Sequence, residues 1–139
     1  MTKRSNKIFR GIKQQWIAAL RSGEYKQGRG ALRTDSGYCC FGVLCDLYAK
    51  AHPKAYWHDE QNTFIPDSST PKWSAAELPP EEVFAWSGNN YGVSGWVVDI
   101  DPAKTPNSGE PQHLDTLNDT FLYSFDQIAD IIEEQLIAV

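Results

Sequence analysis

The sequence predicts an α+β fold. A small, mostly antiparallel sheet is packed by an N-terminal and a C-terminal amphipathic helix, with one or two short helices between them. Two observations carry this expectation. Apolar residues recur at helical spacing at both ends of the 139-residue chain: Ile8, Phe9, Ile12, Trp16, Ala19 and Leu20, then Phe125, Ile128, Ile131, Ile132 and Leu136. Between them lie short β-prone runs bounded by turn residues. Length and pattern fit a single domain over 1–139.

The first helix is expected over Ser5–Ser22, with Ser5 as N-cap and Gly23 in the left-handed position after its end. Ala31-Leu32-Arg33 and Tyr38-Cys39-Cys40-Phe41 read as short strands around the turn Thr34-Asp35-Ser36-Gly37. From Gly42 the period turns helical through Val43, Leu44, Leu47 and Tyr48, and Pro53 stops it. Ala55-Tyr56-Trp57 and Thr63-Phe64-Ile65 are placed to pair as a hairpin. Leu78 to Trp86 reads as a short helix, since prolines and acids suit its start and Gly88 suits its end. Trp96 to Ile100 reads as a strand in a turn-rich region. Ser124 and Gln127 form a capping-box pattern before the last helix.

Composition narrows the function classes. No run approaches ~20 apolar residues, so a membrane-spanning helix is not expected. Behind the charged start MTKRSNKIFRG there is no apolar stretch, so no secretory signal is expected and the cytoplasm is the expected compartment. Three cysteines, two of them adjacent, do not suit a disulfide framework. Residues 1–33 hold nine of thirteen basic residues and one of eighteen acids, giving +8 there and −13 in the rest. Such asymmetry implies either an anionic partner or internal docking of the two parts. The net charge of −5 argues against general DNA binding.

The pattern Trp16-x-x-Ala19-Leu20-Arg21-Ser22-Gly23-x-Tyr25-x-Gln27-Gly28-x-Gly30-x-Leu32-Arg33 resembles the opening of an uncharacterised family of small bacteriophage and prophage proteins. The likeness continues in Cys39-Cys40-x-Gly42-Val43-Leu44-Cys45-Asp46-Leu47, Leu78-Pro79-Pro80, Leu117-Asn118-Asp119 and Phe125-x-x-Ile128-Ala129-Asp130-x-Ile132-Glu133. It implies a phage-encoded protein acting in a bacterial cytoplasm. It brings no reaction, cofactor or catalytic residue to carry over.

Lys26, Arg29 and Arg33 flank Gly28 and Gly30. Backbone N–H groups and guanidinium forks in such a loop suit an anion, and Tyr38 and Trp57 are candidate stacking partners. The bland alternative is a basic turn paired with acids such as Asp46 or Asp119. Cys39, Cys40 and Cys45, with His52 and His58, lack the paired knuckles of a zinc site and read as buried thiols. Asp99, Asp101 and His113, near Asp115 and Asp119, would suit a metal-assisted hydrolase, although aspartates commonly end strands for backbone reasons. Tyr56, Trp57, Trp73, Trp86, Tyr91 and Trp96 read mainly as core.

The expectation is a non-enzymatic binding protein of phage origin, with no cofactor or metal. Lys26, Arg29, Arg33, Tyr38 and Trp57 would engage an anionic nucleotide or a host protein, and interference with a host defence system is its concrete form. The alternatives are a small metal-dependent hydrolase and a virion structural or assembly protein. Oligomeric state is open.

Overall fold

The computed structural model describes residues 6–69, 75–89, 96–100 and 111–139. Ser5, Trp73, Tyr91 and Asp101 lie outside these. Among the described residues the protein is α+β, with five helices and four two-stranded pairs, three antiparallel and one parallel. No helix among them is long and apolar enough to cross a membrane.

The first helix, α1, runs Arg10–Arg21 rather than from Ser5. Lys7–Ile8 is instead a strand, β1, paired in parallel with Ile137–Ala138, the last strand, β8. The backbone N–H of Ile137 donates to Asn6 O at 2.6 Å, and that of Val139 to Ile8 O at 2.9 Å. A helix start leaves N–H groups without intrahelical partners. Here Phe9 N donates to Ser87 O at 2.8 Å and Arg10 N to Val139 O at 3.3 Å. Ile12, Trp16 and Leu20 form the buried stripe of α1.

Strands β2 (Arg33–Thr34) and β3 (Gly37–Tyr38) pair across the expected turn. The second strand stops before the cysteines, because helix α2 (Cys40–Ala51) has already begun. Cys39 is its N-cap, its sulfur accepting from Gly42 N. Adjacent strand residues would face opposite sides of a sheet, but at a helix start both thiols turn inward and all three cysteines are buried. Gly42 allows this tight entry, since a Cβ there would fall inside the contact radius of Leu32 O.

Strands β4 (Tyr56–His58) and β5 (Thr63–Ile65) form the expected hairpin. Helix α3 (Glu81–Ser87) follows Pro79-Pro80 and ends at Gly88 with φ +97°. Strand β6 (Val97–Val98) pairs with β7 (Gln112–His113). A short helix not expected from the periodicity, α4 (Leu114–Asp119), comes next. Helix α5 (Phe125–Gln135) carries the expected capping box: Gln127 N donates to Ser124 Oγ at 3.2 Å, and Ser124 N to Gln127 Oε1 at 2.9 Å.

All five helices contribute to one buried cluster. Its aromatic centre sets Trp16 against Phe41 and Trp96, with ring centroids 5.9 and 5.5 Å away. The two indoles still need acceptors: Trp16 Nε1 donates to Cys40 O at 3.0 Å and Trp96 Nε1 to Lys7 O at 2.8 Å. Helices α1 and α5 are latched by Lys13, whose ammonium donates to Glu133 O at 3.0 Å and Leu136 O at 2.6 Å. A cation on the last carbonyls of a helix also meets the negative end of its dipole.

Two glycines test this packing. Gly42→Ala should destabilise the protein by at least about 2 kcal/mol, because the new methyl has only backbone to displace. Gly11→Ala, in α1 with no atom within 4 Å of its Cβ position, should gain roughly 0.5 kcal/mol. Urea midpoints of the two variants check the pair, and equal midpoints would contradict the approach of Leu32 to α2.

Candidate functional site

The basic segment does not hang free. Tyr38 N donates to Lys26 O at 2.8 Å and Gly28 N to Tyr38 O at 2.7 Å, so Lys26–Gly28 lies beside β3. A Cβ at Gly28 would sit 2.7 Å from Gly37 O, which gives this glycine its reason. The N–H of Gly28 is thereby occupied within the fold.

Behind the segment is Asn118, which has no exposed surface. Its Oδ1 accepts from Gln27 Nε2 at 2.8 Å and from Cys40 N at 3.3 Å. Its Nδ2 donates to Gly28 O at 2.9 Å and Asp119 Oδ1 at 2.8 Å. Its backbone carbonyl accepts from Arg29 Nε at 3.1 Å. One amide thus fixes the basic segment, the start of α2 and the end of α4.

The predicted residues divide into two groups. Arg33, Tyr38 and Trp57 form one packed row. Arg33 Nε donates to Asn62 Oδ1 at 2.8 Å, a terminal nitrogen lies 3.3 Å from Asp59, and the guanidinium sits 4.7 Å from the Trp57 ring centroid. Its side chain is only 16% exposed, so most of Arg33 serves the fold. Trp57 Nε1 donates to Asp46 Oδ1 at 3.1 Å. Tyr38 meets Tyr25 and Trp57 edge-on, at 5.2 and 5.7 Å. Tyr25 donates to Asp46 Oδ2 at 2.5 Å and accepts from Lys50 at 3.0 Å. Burial first, then the bond to Asp46, pushes the Tyr25 hydroxyl up. Lys26 and Arg29 form the second group. Both are exposed, and neither has an ion pair among the described residues.

Residue patterning missed Asn118 as an organiser of this site, and it named Asp46 as an acid for the basic turn where the structure sets it against Tyr25, Trp57 and Lys50. Both stood inside the motifs Cys45-Asp46-Leu47 and Leu117-Asn118-Asp119, which was the available signal. The acid that meets Arg33 is Asp59, not Asp46 or Asp119. Asp46 lies 3.7 Å from Lys50 instead.

The other candidate chemistry is placed as follows. Burial pushes the Cys39 thiol up to about 12, and those of Cys40 and Cys45 also well up, so all three stay protonated near neutrality. Among the described residues no three His, Cys, Asp or Glu side chains form a metal-holding group. Asp99 exchanges two hydrogen bonds with the Gln135 amide through its backbone, both 2.7 Å. His113 heads α4, and burial raises Asp115 while the nearby His113 opposes that shift.

A protein-family model described as a domain of unknown function (DUF8296) matches residues 8–136, and the chain belongs to that family. No curated protein and no solved structure matches it.

Asn118→Ala leaves Gly28 O and Cys40 N without their partner and should cost roughly 3 kcal/mol in chemical denaturation. A second expectation follows from Cys39. Its folded thiol holds its proton to about 12 while the ordinary value is 9.0. The folded state therefore binds more protons in that window, and stability is full below pH 9 and falls as pH rises towards 12. Urea midpoints between pH 8 and 11 should show this decline, with a shallower slope for Cys39→Ser, which keeps a capping side chain.

Proposed function

We propose that this family member is a phage-encoded, non-enzymatic binding protein that acts in the bacterial cytoplasm by occupying an acidic surface of a host protein. A defence effector is the concrete target class. The observation that carries the reading is that Lys26 and Arg29 are exposed and have no ion pair among the described residues, on a backbone fixed by Tyr38 and Asn118. Cations held on a rigid base lose little freedom on binding. Arg33, Tyr38 and Trp57 supply that base.

Within this reading a protein surface is favoured over a nucleotide. Stacking a base needs an open aromatic face. Trp57 has Arg33 over its ring and Phe64 packed against it at 5.0 Å, and Tyr38 is engaged by rings on two sides. Exposed cations beside a closed aromatic row suit a flat acidic patch, where charge sets encounter rate and specificity.

The test is the double charge reversal Lys26→Glu with Arg29→Glu, with its urea midpoint measured beside capture because Arg29 Nε also donates to the buried Asn118 carbonyl. Capture of a defined host protein by the wild type should weaken about tenfold or more in this variant, and raised salt should weaken the wild type as well. The conservative pair Lys26→Arg with Arg29→Lys should retain capture. Capture indifferent to both reversal and salt would overturn the reading. A thermal shift with a nucleotide, worth about 2.7 kcal/mol at one hundred times Kd, would replace it with the nucleotide version.

A further inference from the structure

A cavity of about 420 Å³ opens where the end of α2, the segment after β5 and the start of α3 meet. It lies apart from the basic segment and shares no lining residue with it. Its walls are largely apolar. Tyr48 and His52, one helical turn apart, stack at 3.8 Å and 11° between planes, and His52 Nδ1 lies 2.9 Å from Tyr48 O. Trp86 stands edge-on to both rings, at 5.4 and 5.8 Å. Pro53 and Pro66 complete the apolar lining.

The polar lining is small and uneven. Tyr48 is 8% exposed, yet its hydroxyl has no hydrogen-bond partner among the described residues. The hydroxyl is not among the fully buried unmatched atoms, so it is reachable by a partner from the cavity that Tyr48 lines. Glu82 and Asp67 line the same cavity as Tyr48, and after burial itself their charges push this hydroxyl up. The two acids are not equivalent. Asp67 Oδ1 already accepts from Ser69 N at 2.9 Å and from Ser69 Oγ at 2.5 Å, with Lys54 nearby also favouring its charged form. Glu82 has no hydrogen bond or ion pair among the described residues.

We propose that this cavity binds a primary ammonium group carried on an apolar stem, with the Glu82 carboxylate and the Tyr48 hydroxyl as its acceptors. An ammonium presents three donors and no acceptor, which matches a carboxylate, a hydroxyl oxygen and nearby ring faces. The two prolines and the stacked rings hold the alkyl stem out of water. Lys54 at the rim repels a second cation, so a monoamine is preferred to a diamine. A free small amine and a lysine side chain of a partner protein share this chemistry.

The test is an NMR titration of the full chain, following the His52 and Trp86 ring signals. n-Butylammonium and Nα-acetyl-lysinamide are the probes, and n-butanol is the uncharged control. Saturable shifts are expected with one or both amines, a smaller response to a diamine of equal length, and none with n-butanol. Glu82→Gln and Tyr48→Phe keep shape and packing, and each should weaken binding at least tenfold. Tighter binding of n-butylammonium assigns the site to free amines, and tighter binding of the lysine derivative assigns it to a side chain. No saturable shift up to tens of millimolar, equal binding of n-butanol, or unchanged affinity in both variants would overturn the proposal.

Discussion

The buried amide of Asn118 is the interaction on which the rest of this surface depends. Three of its hydrogen bonds reach groups far away in sequence, Gln27, Gly28 and Cys40, and a fourth goes to neighbouring Asp119. A buried amide is tolerable only when its donors and acceptors are all answered, and such a network then permits one arrangement. The consequence reaches the surface. Arg29 hangs from the Asn118 carbonyl, and Lys26 is held through the Gly28–Tyr38 ladder. The backbone that carries the exposed cations is therefore positioned by a residue with no exposed surface of its own.

A second constraint closes the chain on itself. β1 and β8 pair, Lys13 caps the carbonyls at the end of α5, and Phe9 and Arg10 take carbonyls from Ser87 and Val139. This sets α1 against α5 and carries Trp16 into the ring cluster with Phe41 and Trp96. Exposed pairs such as Arg21 with Asp130 and Glu133 add little to that latch, since solvent screens them. The lysine on the α5 carbonyls matters more, because Leu136 and its neighbours are partly shielded and their carbonyls lack helical partners.

What was legible in the sequence was local. The Ser124–Gln127 box, the hairpin of Tyr56–His58 with Thr63–Ile65, the Pro-Pro start of α3 and the Pro53 stop all depend on neighbours within a few residues. What was not legible depends on distant partners. Nothing near Lys7 and Ile8 announces that their backbone pairs with Ile137 and Ala138, so helical periodicity extends α1 too early. Cys39 looks like a strand residue until Leu32 and Gly42 are seen to back onto each other, which forces the helix to begin there. The candidate site divides in the same way. Charge and glycine content point to Lys26–Arg33, but they cannot tell an exposed cation from one enclosed by Trp57, Asn62 and Asp59. The cavity at Tyr48 was invisible because its acids, Asp67 and Glu82, come from separate elements.

The charge asymmetry of the sequence posed a choice between internal docking and an external partner, and the fold shows internal docking for part of the basic set. Lys13, Arg21 and Arg33 are engaged within the structure, on helix carbonyls, on α5 acids and on Asn62 with Asp59. Lys7, Arg10, Lys26 and Arg29 are exposed without an ion pair among the described residues. Position decides the outcome for each cation. Those facing another element are neutralised where they help packing, as Arg33 does by covering Trp57. Lys7, Arg10 and Lys26 stay exposed with no ion pair among the described residues, while the exposed Arg29 keeps one hydrogen bond, to the Asn118 carbonyl of α4. The enclosed cations hold the aromatic row and the helix pair rigid, and that rigidity gives the remaining charges a fixed geometry. The difference between the enclosed Arg33 and the exposed Arg29 follows from which side of Tyr38 the chain passes, with Arg33 on the hairpin side and Arg29 on the Asn118 side.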